Sequence, residues 1–406
     1  MKQSNSTTKA VFFASLFCFV LMVFSVAPVL AAPPQDKAGK DRLNQIRNIF
    51  DKGRESVSDI DFRELSDFKI KDEDTFKQYT VRLHSIPYDD TTLAYEIYLP
   101  DTWKKVALHL ENDILVNKKL MSHITQYIAP PISDVRPTVT IQAKRLEYEM
   151  DARHWLREHM LVGGFTLTSD VEGKDIRNAA VNFVYVDNET AYVGYARAIF
   201  HGNMVTFVRF DVPQQFHKYY KFIQQKSVQS LKMLSPKTGG IEEWKKDYLL
   251  GDVIELKYPS SWVRKKPRYN EDGEKTSFEL HNQAEKDTVY GLMHFSIIPR
   301  TDDTDLKTEL KILRKGLEEK YGLEVEKVLK SNPSYGPLQF DYVREEHYVV
   351  GFKSDKKIAD QEMRLLVMAN SDWYVFMYMM TPMEENDFIN WARNTRVYDI
   401  VKDSLL

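Results

Sequence analysis

Tyr95-Glu96-Ile97-Tyr98-Leu99-Pro100-Asp101-Thr102-Trp103 returns later in the chain as Ile254-Glu255-Leu256-Lys257-Tyr258-Pro259-Ser260-Ser261-Trp262. In both copies alternate apolar residues run into a proline, and a tryptophan follows. The alternation spells a strand with one face buried, and proline is tolerated at a strand end where no ladder donor is needed. The tryptophan is then placed to seal one end of a core. A repeat of this kind cuts the chain into two similar units, and the rest of the sequence can be read outward from it.

Each copy is followed by a further strand, Thr138 to Ile141 in the first and Leu292 to Ile297 in the second. A helical pattern comes next. In the second unit Leu306, Leu310, Leu313 and Leu317 share one stripe, with Thr304 or Asp305 as the N-terminal cap; the counterpart in the first unit is Asp151 to Met160. Consecutive strands then run from Ala179 to Tyr185, Ala191 to Phe200 and Met204 to Phe210, with Asp187-Asn188 and Gly202-Asn203 as turns. Short loops between successive strands require an antiparallel sheet. The last strand of each unit ends in proline, at Val212-Pro213 or Thr381-Pro382, and feeds a closing helix with one apolar face. The run Trp373 to Met380 has no polar face, which places it centrally with both sides covered.

These elements predict an α+β protein of two tandem domains, each an antiparallel sheet flanked by helices. The predicted boundaries are a signal peptide at 1–31, a charged arm at 32–74, domain 1 at 75–235, a Pro/Gly linker at 236–243 and domain 2 at 244–406. Within the arm, Leu43, Ile46 and Phe50 have helical spacing and suggest a short amphipathic docking helix, with a disordered spacer as the alternative.

The order of elements, with Pro100/Trp103, Pro259/Trp262, Pro213 and Pro382, is similar to the PsbP-like fold, named for an extrinsic subunit of photosystem II and shared by small exported bacterial proteins. The resemblance covers most of the chain beyond the leader and arm, twice over, whereas the family usually has a single domain. It implies docking and assembly without catalysis, and it transfers no catalytic or metal-binding residue.

The address is read from the N-terminus. Lys2 and Lys9 precede an apolar run from Ala10 to Leu30 with small residues at Ala31 and Ala32, the pattern of a secretory signal cleaved after Ala31. The run is also nearly long enough to span a bilayer, so an uncleaved inner-membrane anchor is the alternative. Cys18 is the only cysteine and leaves with the leader, which excludes disulfides and a thiol nucleophile from the processed chain. Of 56 Lys plus Arg against 59 Asp plus Glu, loss of Lys2 and Lys9 leaves 54 against 59. That balance argues against nucleic acid or anionic lipid as a bulk electrostatic partner, with local patches left open.

No catalytic motif stands out. His154 and His159 are five apart and point about 140° away from each other on a helix, unlike the i, i+4 pairs of helical zinc sites. His347, after Glu345-Glu346, reads as a solvated cluster in a loop or strand edge. Asp302, Asp303 and Asp305 lack the glycine and distal glutamate of a calcium loop, and helix capping explains them. Gly163-Gly164 and Gly239-Gly240 lack the Lys-Ser or Lys-Thr of a phosphate loop, and no Gly-x-Ser-x-Gly occurs.

The remaining candidates are aromatic. Phe183 and Tyr185 share a strand face, and one of Tyr192 and Tyr195 joins them as a partner patch, core packing being the plainer reading. The sequence therefore predicts no cofactor and no metal, and a non-enzymatic periplasmic or secreted factor that binds envelope proteins. The alternatives are an envelope hydrolase with a site in the interdomain cleft and a membrane-anchored subunit of a secretion apparatus.

Overall fold

The structure is a computed structural model that describes residues 66–106, 121–130, 132, 135–249, 254–269, 275–285, 288–334, 340–352 and 360–406. The predicted leader and the docking helix at Leu43, Ile46 and Phe50 lie outside these residues. The chain forms two compact units that divide between Glu242 and Glu243.

The N-terminal unit contains, in order, α1 (Glu73–Tyr79), β1 (Thr80–Ser85), β2 (Tyr95–Pro100), β3 (Lys104–Val106), β4 (Ser122–Ile128), β5 (Thr138–Arg145), α2 (Ala152–Val162), β6 (Thr166–Leu167), β7 (Glu172–Asp175), β8 (Asn178–Asp187), β9 (Thr190–His201), β10 (Met204–Pro213), α3 (His217–Ser230) and β11 (Lys232–Met233). The C-terminal unit contains β12 (Trp244–Leu249), β13 (Ile254–Pro259), β14 (Trp262–Arg264), β15 (Arg268–Tyr269), β16 (Thr276–Glu285), β17 (Thr288–Pro299), α4 (Leu306–Tyr321), β18 (Leu323–Ser334), β19 (Tyr342–Phe352), β20 (Gln361–Ala369), β21 (Trp373–Pro382) and α5 (Phe388–Leu405).

The two large sheets share one topology. The first has the order β3-β4-β5-β10-β9-β8-β6, with β7 also on β8; the second has β14-β16-β17-β21-β20-β19-β18, with β15 on β16. Position by position these are the same elements of the repeat, and each named strand pair is antiparallel. The repeated strands β2 and β13 lie outside the large sheets and pair with β1 and β12.

β21 is the fourth strand of seven along its path, as its lack of a polar face requires. Tyr374, Phe376 and Tyr378 pack on one side with Leu317 and the partly buried Leu306, Leu310 and Leu313 of α4. Val375, Met377 and Met379 pack on the other with Val397, Tyr398, Val401 and Leu405 of α5. Each fully buried aliphatic side chain contributes about 1.5–3 kcal/mol. The period-2 strand thus feeds two period-3.6 helices from opposite faces. β10 is covered in the same way. Val208, Phe210 and Val212 meet Tyr220 and Ile223 of α3, while Val205 and Phe207 meet Leu156 and Met160 of α2.

Local signals fix the ends. Asp305 accepts the Thr308 amide at 2.9 Å and caps α4, which stops at Gly322 with a left-handed φ of 62°. Trp103 and Trp262 are both buried at the foot of their cores. The assignment of 32–74 to the arm needs one correction. Asp67 and Ile70 are buried in the N-terminal unit, because the Trp103 indole N–H, the Thr102 hydroxyl and the Tyr220 hydroxyl all donate to Asp67, at 3.0, 2.8 and 2.9 Å. No helix among the described residues is long and apolar enough to cross a membrane.

Candidate functional site

The predicted aromatic patch divides across the sheet. Phe183 is fully buried and Tyr195 nearly so, in different cores on opposite faces, so neither offers a surface. Phe183 is drawn in because Gly194 lies opposite it, and a Cβ at Gly194 would fall 2.0 Å from the ring. Tyr185 and Tyr192 form a directly opposed cross-strand pair, stacked at 5.0 Å, and both stay partly accessible. Beside them the Arg209 guanidinium sits 5.3 Å from the Phe165 ring and 5.9 Å from that of Tyr185. Arg209 pairs with Asp211 at 3.2 Å, yet burial wins over this neighbour and pushes the Asp211 carboxyl up to about 6.

The histidines do not converge on a ligand. His159 stacks on Trp155 at 4.7 Å, and burial, aided by Lys144 and Arg209, pushes it down to about 4. His154 is buried. His347 is not in a loop or at a sheet edge. It lies within β19, which is paired on both sides, and reaches Glu345 at 3.1 Å. Asp302 and Asp303 are exposed beside the α4 cap. Among the described residues no group of three or more His, Cys, Asp and Glu is placed to hold a metal ion.

One polar constellation escaped the sequence reading. On the α4 face of the second large sheet, His281 reaches Glu279 at 2.9 Å, and His294 Nδ1 lies 3.6 Å from the same carboxylate. His294 Nε2 meets the Ser296 hydroxyl at 3.2 Å, and its ring stacks on Tyr378 at 4.9 Å. The hydrogen bond from His281, with the His294 ring close beside it, holds the Glu279 carboxyl well below the usual range. The cluster arises because Glu279 and His294 are directly opposed on β16 and β17.

The candidate site is a groove in the N-terminal unit. It lies between the segment around Phe68 to Lys71 and α3, and has a volume of about 370 Å³. Phe68 packs on Tyr219 at 4.8 Å and edge-on to Tyr220 at 5.6 Å, which sets an aromatic floor. Phe222 continues it, held edge-on to Phe76 at 6.3 Å. Lys71, Lys218 and Lys221 line the groove, the Lys218 ammonium standing 4.7 Å over the Tyr219 ring. The Tyr220 hydroxyl ties Asp67, and with it the wall, to α3, while Thr102 and Trp103 tie it to the turn after β2. Chemically the arrangement offers cations around a partly exposed apolar surface, which suits recognition of an anionic, partly apolar ligand. Spacing along the chain gave no hint of it, because Asp67 and Tyr220 are 153 positions apart.

No family profile matches the chain, and no curated protein matches its sequence. Among solved structures, cyanobacterial PsbP (CyanoP) from Synechocystis is similar at 9% identity over 38% of this chain and 92% of its own, with a TM-score of 0.29. The T6SS immunity protein TplEi from Pseudomonas aeruginosa is similar at 11% identity over 76% of this chain and 93% of its own, with a TM-score of 0.22. DynU16, from the dynemicin biosynthetic locus, is similar at 9% identity over 75% of this chain and 96% of its own, with a TM-score of 0.15. The resemblance to a PsbP domain is weak, and likenesses this slight carry no functional argument.

Proposed function

We propose that the chain is an exported, non-enzymatic factor that binds proteins of the cell envelope and acts in their assembly, with both units serving as PsbP-like docking domains. The observation that supports this reading is the groove of the N-terminal unit, where three lysines surround an accessible aromatic floor. Such a surface suits recognition of a partner that carries acidic and apolar groups. Duplication adds to it, since a second tethered unit raises the effective concentration for a second contact. Chemical cross-linking in the cell, followed by mass spectrometry of proteins captured with the tagged chain, tests the proposal. Reproducible envelope partners are expected, and an empty capture would contradict it. The anchored form is separated from the free one by N-terminal sequencing.

A second reading, hydrolysis, is favoured by the approach of Ser296, His294 and Glu279, which have the roles of nucleophile, base and orienting carboxylate. Against it, Ser296 lies within a strand paired on both sides, so its backbone N–H is not at hand to stabilise an oxyanion. A fluorophosphonate probe decides the matter: labelling of Ser296 that is lost in His294→Ala supports hydrolysis, and an unlabelled serine removes it.

A further inference from the structure

We infer that the groove between Phe68–Lys71 and α3 takes an extended acidic segment of a partner protein, with carboxylates on Lys71, Lys218 and Lys221 and an apolar side chain on Phe68 and Tyr219. The inference rests on the binding reading above and names the chemistry of the partner.

Charge is the first argument. Helix α3 carries His217, Lys218, Lys221 and Lys226 and has no aspartate or glutamate. Lys226 is committed to Glu73, but among the described residues Lys71, Lys218 and Lys221 have no carboxylate partner, and no carboxylate lines the groove. An ordinary solvated helix face mixes both signs. Here one sign is gathered around a cleft, where the field is focused.

Comparison between the repeats is the second. The Ser230 and Ser404 hydroxyls accept the equivalent amides of Tyr98 and Lys257, which aligns α3 with α5. In that alignment the buried residues Ile223 and Leu231 match Val397 and Leu405, while Lys218, Lys221 and Phe222 match Ala392, Thr395 and Arg396. The fold therefore needs the buried face and not the lysine-aromatic surface, which is particular to the first copy.

Shape is the third. The rings are half-buried at the floor of a concave groove of about 370 Å³, at the small end of ligand-sized clefts. A flat anionic bilayer reaches the lysines but not the floor, whereas a peptide in extended form reaches both. The wall does not need to form on binding, since Asp67 already holds it with three hydrogen bonds.

The test uses the chain from residue 32 to 406 and a fluorescein-labelled Glu-Glu-Phe-Glu-Glu peptide, read by fluorescence anisotropy at low salt. Binding is expected, with affinity falling on the order of tenfold in Lys218→Glu/Lys221→Glu and falling again as salt is raised. Tyr219→Ala should weaken it without any change of charge, and Lys315→Glu on α4 should leave it unchanged. A Lys-Lys-Phe-Lys-Lys peptide should not bind. The inference is overturned if the acidic peptide fails to bind, or binds the double variant as well as the parent. It is also overturned if phosphatidylglycerol vesicles bind through Lys218 and Lys221 while the peptide does not. Should cross-linking capture the same envelope partners with the double variant, the groove assignment fails and the binding reading stands.

Discussion

The Ser230 hydroxyl accepts the backbone N–H of Tyr98 at 3.0 Å while donating to the Ser227 carbonyl at 2.7 Å, so that one side chain at the end of α3 latches the helix to β2. The second copy repeats the latch. Ser404 accepts the Lys257 N–H at 2.9 Å and donates to the Val401 carbonyl at 2.8 Å. Tyr98 and Lys257 are equivalent positions of the sequence repeat, each five residues before its tryptophan. Removing either hydroxyl leaves a partly buried strand amide unpaired, at a cost of about 1–2 kcal/mol. Ser230→Ala and Ser404→Ala should each lower the unfolding free energy by that amount, read as a fall in the urea midpoint at unchanged m, and amide exchange should quicken only in the unit that carries the change.

Gly194 is needed for a different reason. The Phe183 ring lies where its Cβ would be, at 2.0 Å, and the ring is enclosed by Phe165 at 5.0 Å. Gly194→Ala should destabilise the N-terminal unit by about 1–3 kcal/mol through overpacking. Adding Phe183→Leu, which shortens the opposing side chain, should recover part of that loss in thermal unfolding. If the single variant melts like the parent, the close approach is not present.

Asp211 makes the N-terminal unit weaker at high pH. Burial raises its carboxyl from 3.8 to about 6 in the folded chain, against the pull of Arg209. The protonated form is the one favoured on folding, so its contribution is complete below the unfolded value and lost as pH rises through about 6. Asp211→Asn, which resembles the protonated acid, should stabilise the unit by about 1–3 kcal/mol at pH 8 and gain nothing at pH 3.5. Melting temperature against pH reads both arms.

Glu345 has the opposite sign. Burial alone would raise it, but the His347 hydrogen bond and the Lys402 charge outweigh burial and hold the carboxyl down to about 2. Its contribution is present above the unfolded value of 4.5 and is lost as pH falls toward 2. Glu345→Gln should cost about 1–2 kcal/mol at pH 7, and that cost should vanish near pH 2. Hydrogen exchange should show the C-terminal unit of the parent opening more readily as pH falls toward 2, and the Glu345→Gln variant losing less over the same range.

The parts of the fold legible in the sequence were those set by local signals. Pro100 and Pro259 mark strand ends, Asp305 caps α4 ahead of its leucine stripe, and the all-apolar β21 announces its place between two helices. β4 and β16 were missed because their patterns are mixed. In β16 the alternation of Phe278 and Leu280, which enter the core, with Glu279 and His281 spans only four residues. The hairpin turn at Asp187-Asn188 was legible, and Asn188 adopts a φ of 45° there, but the choice of Tyr192 over Tyr195 as the partner of Tyr185 needed the register of β8 on β9. The burial of Phe183 was not, since it depends on register with Gly194. The groove was not legible either, because its walls meet only when Asp67 reaches Tyr220.

The most direct test of the central claim is in-cell cross-linking of the tagged chain, with captured proteins quantified by mass spectrometry against an untagged control. The account predicts a reproducible set of envelope proteins, depleted when Lys218 and Lys221 are both changed to glutamate. Capture no greater than the control would contradict the claim that this chain works by binding protein partners.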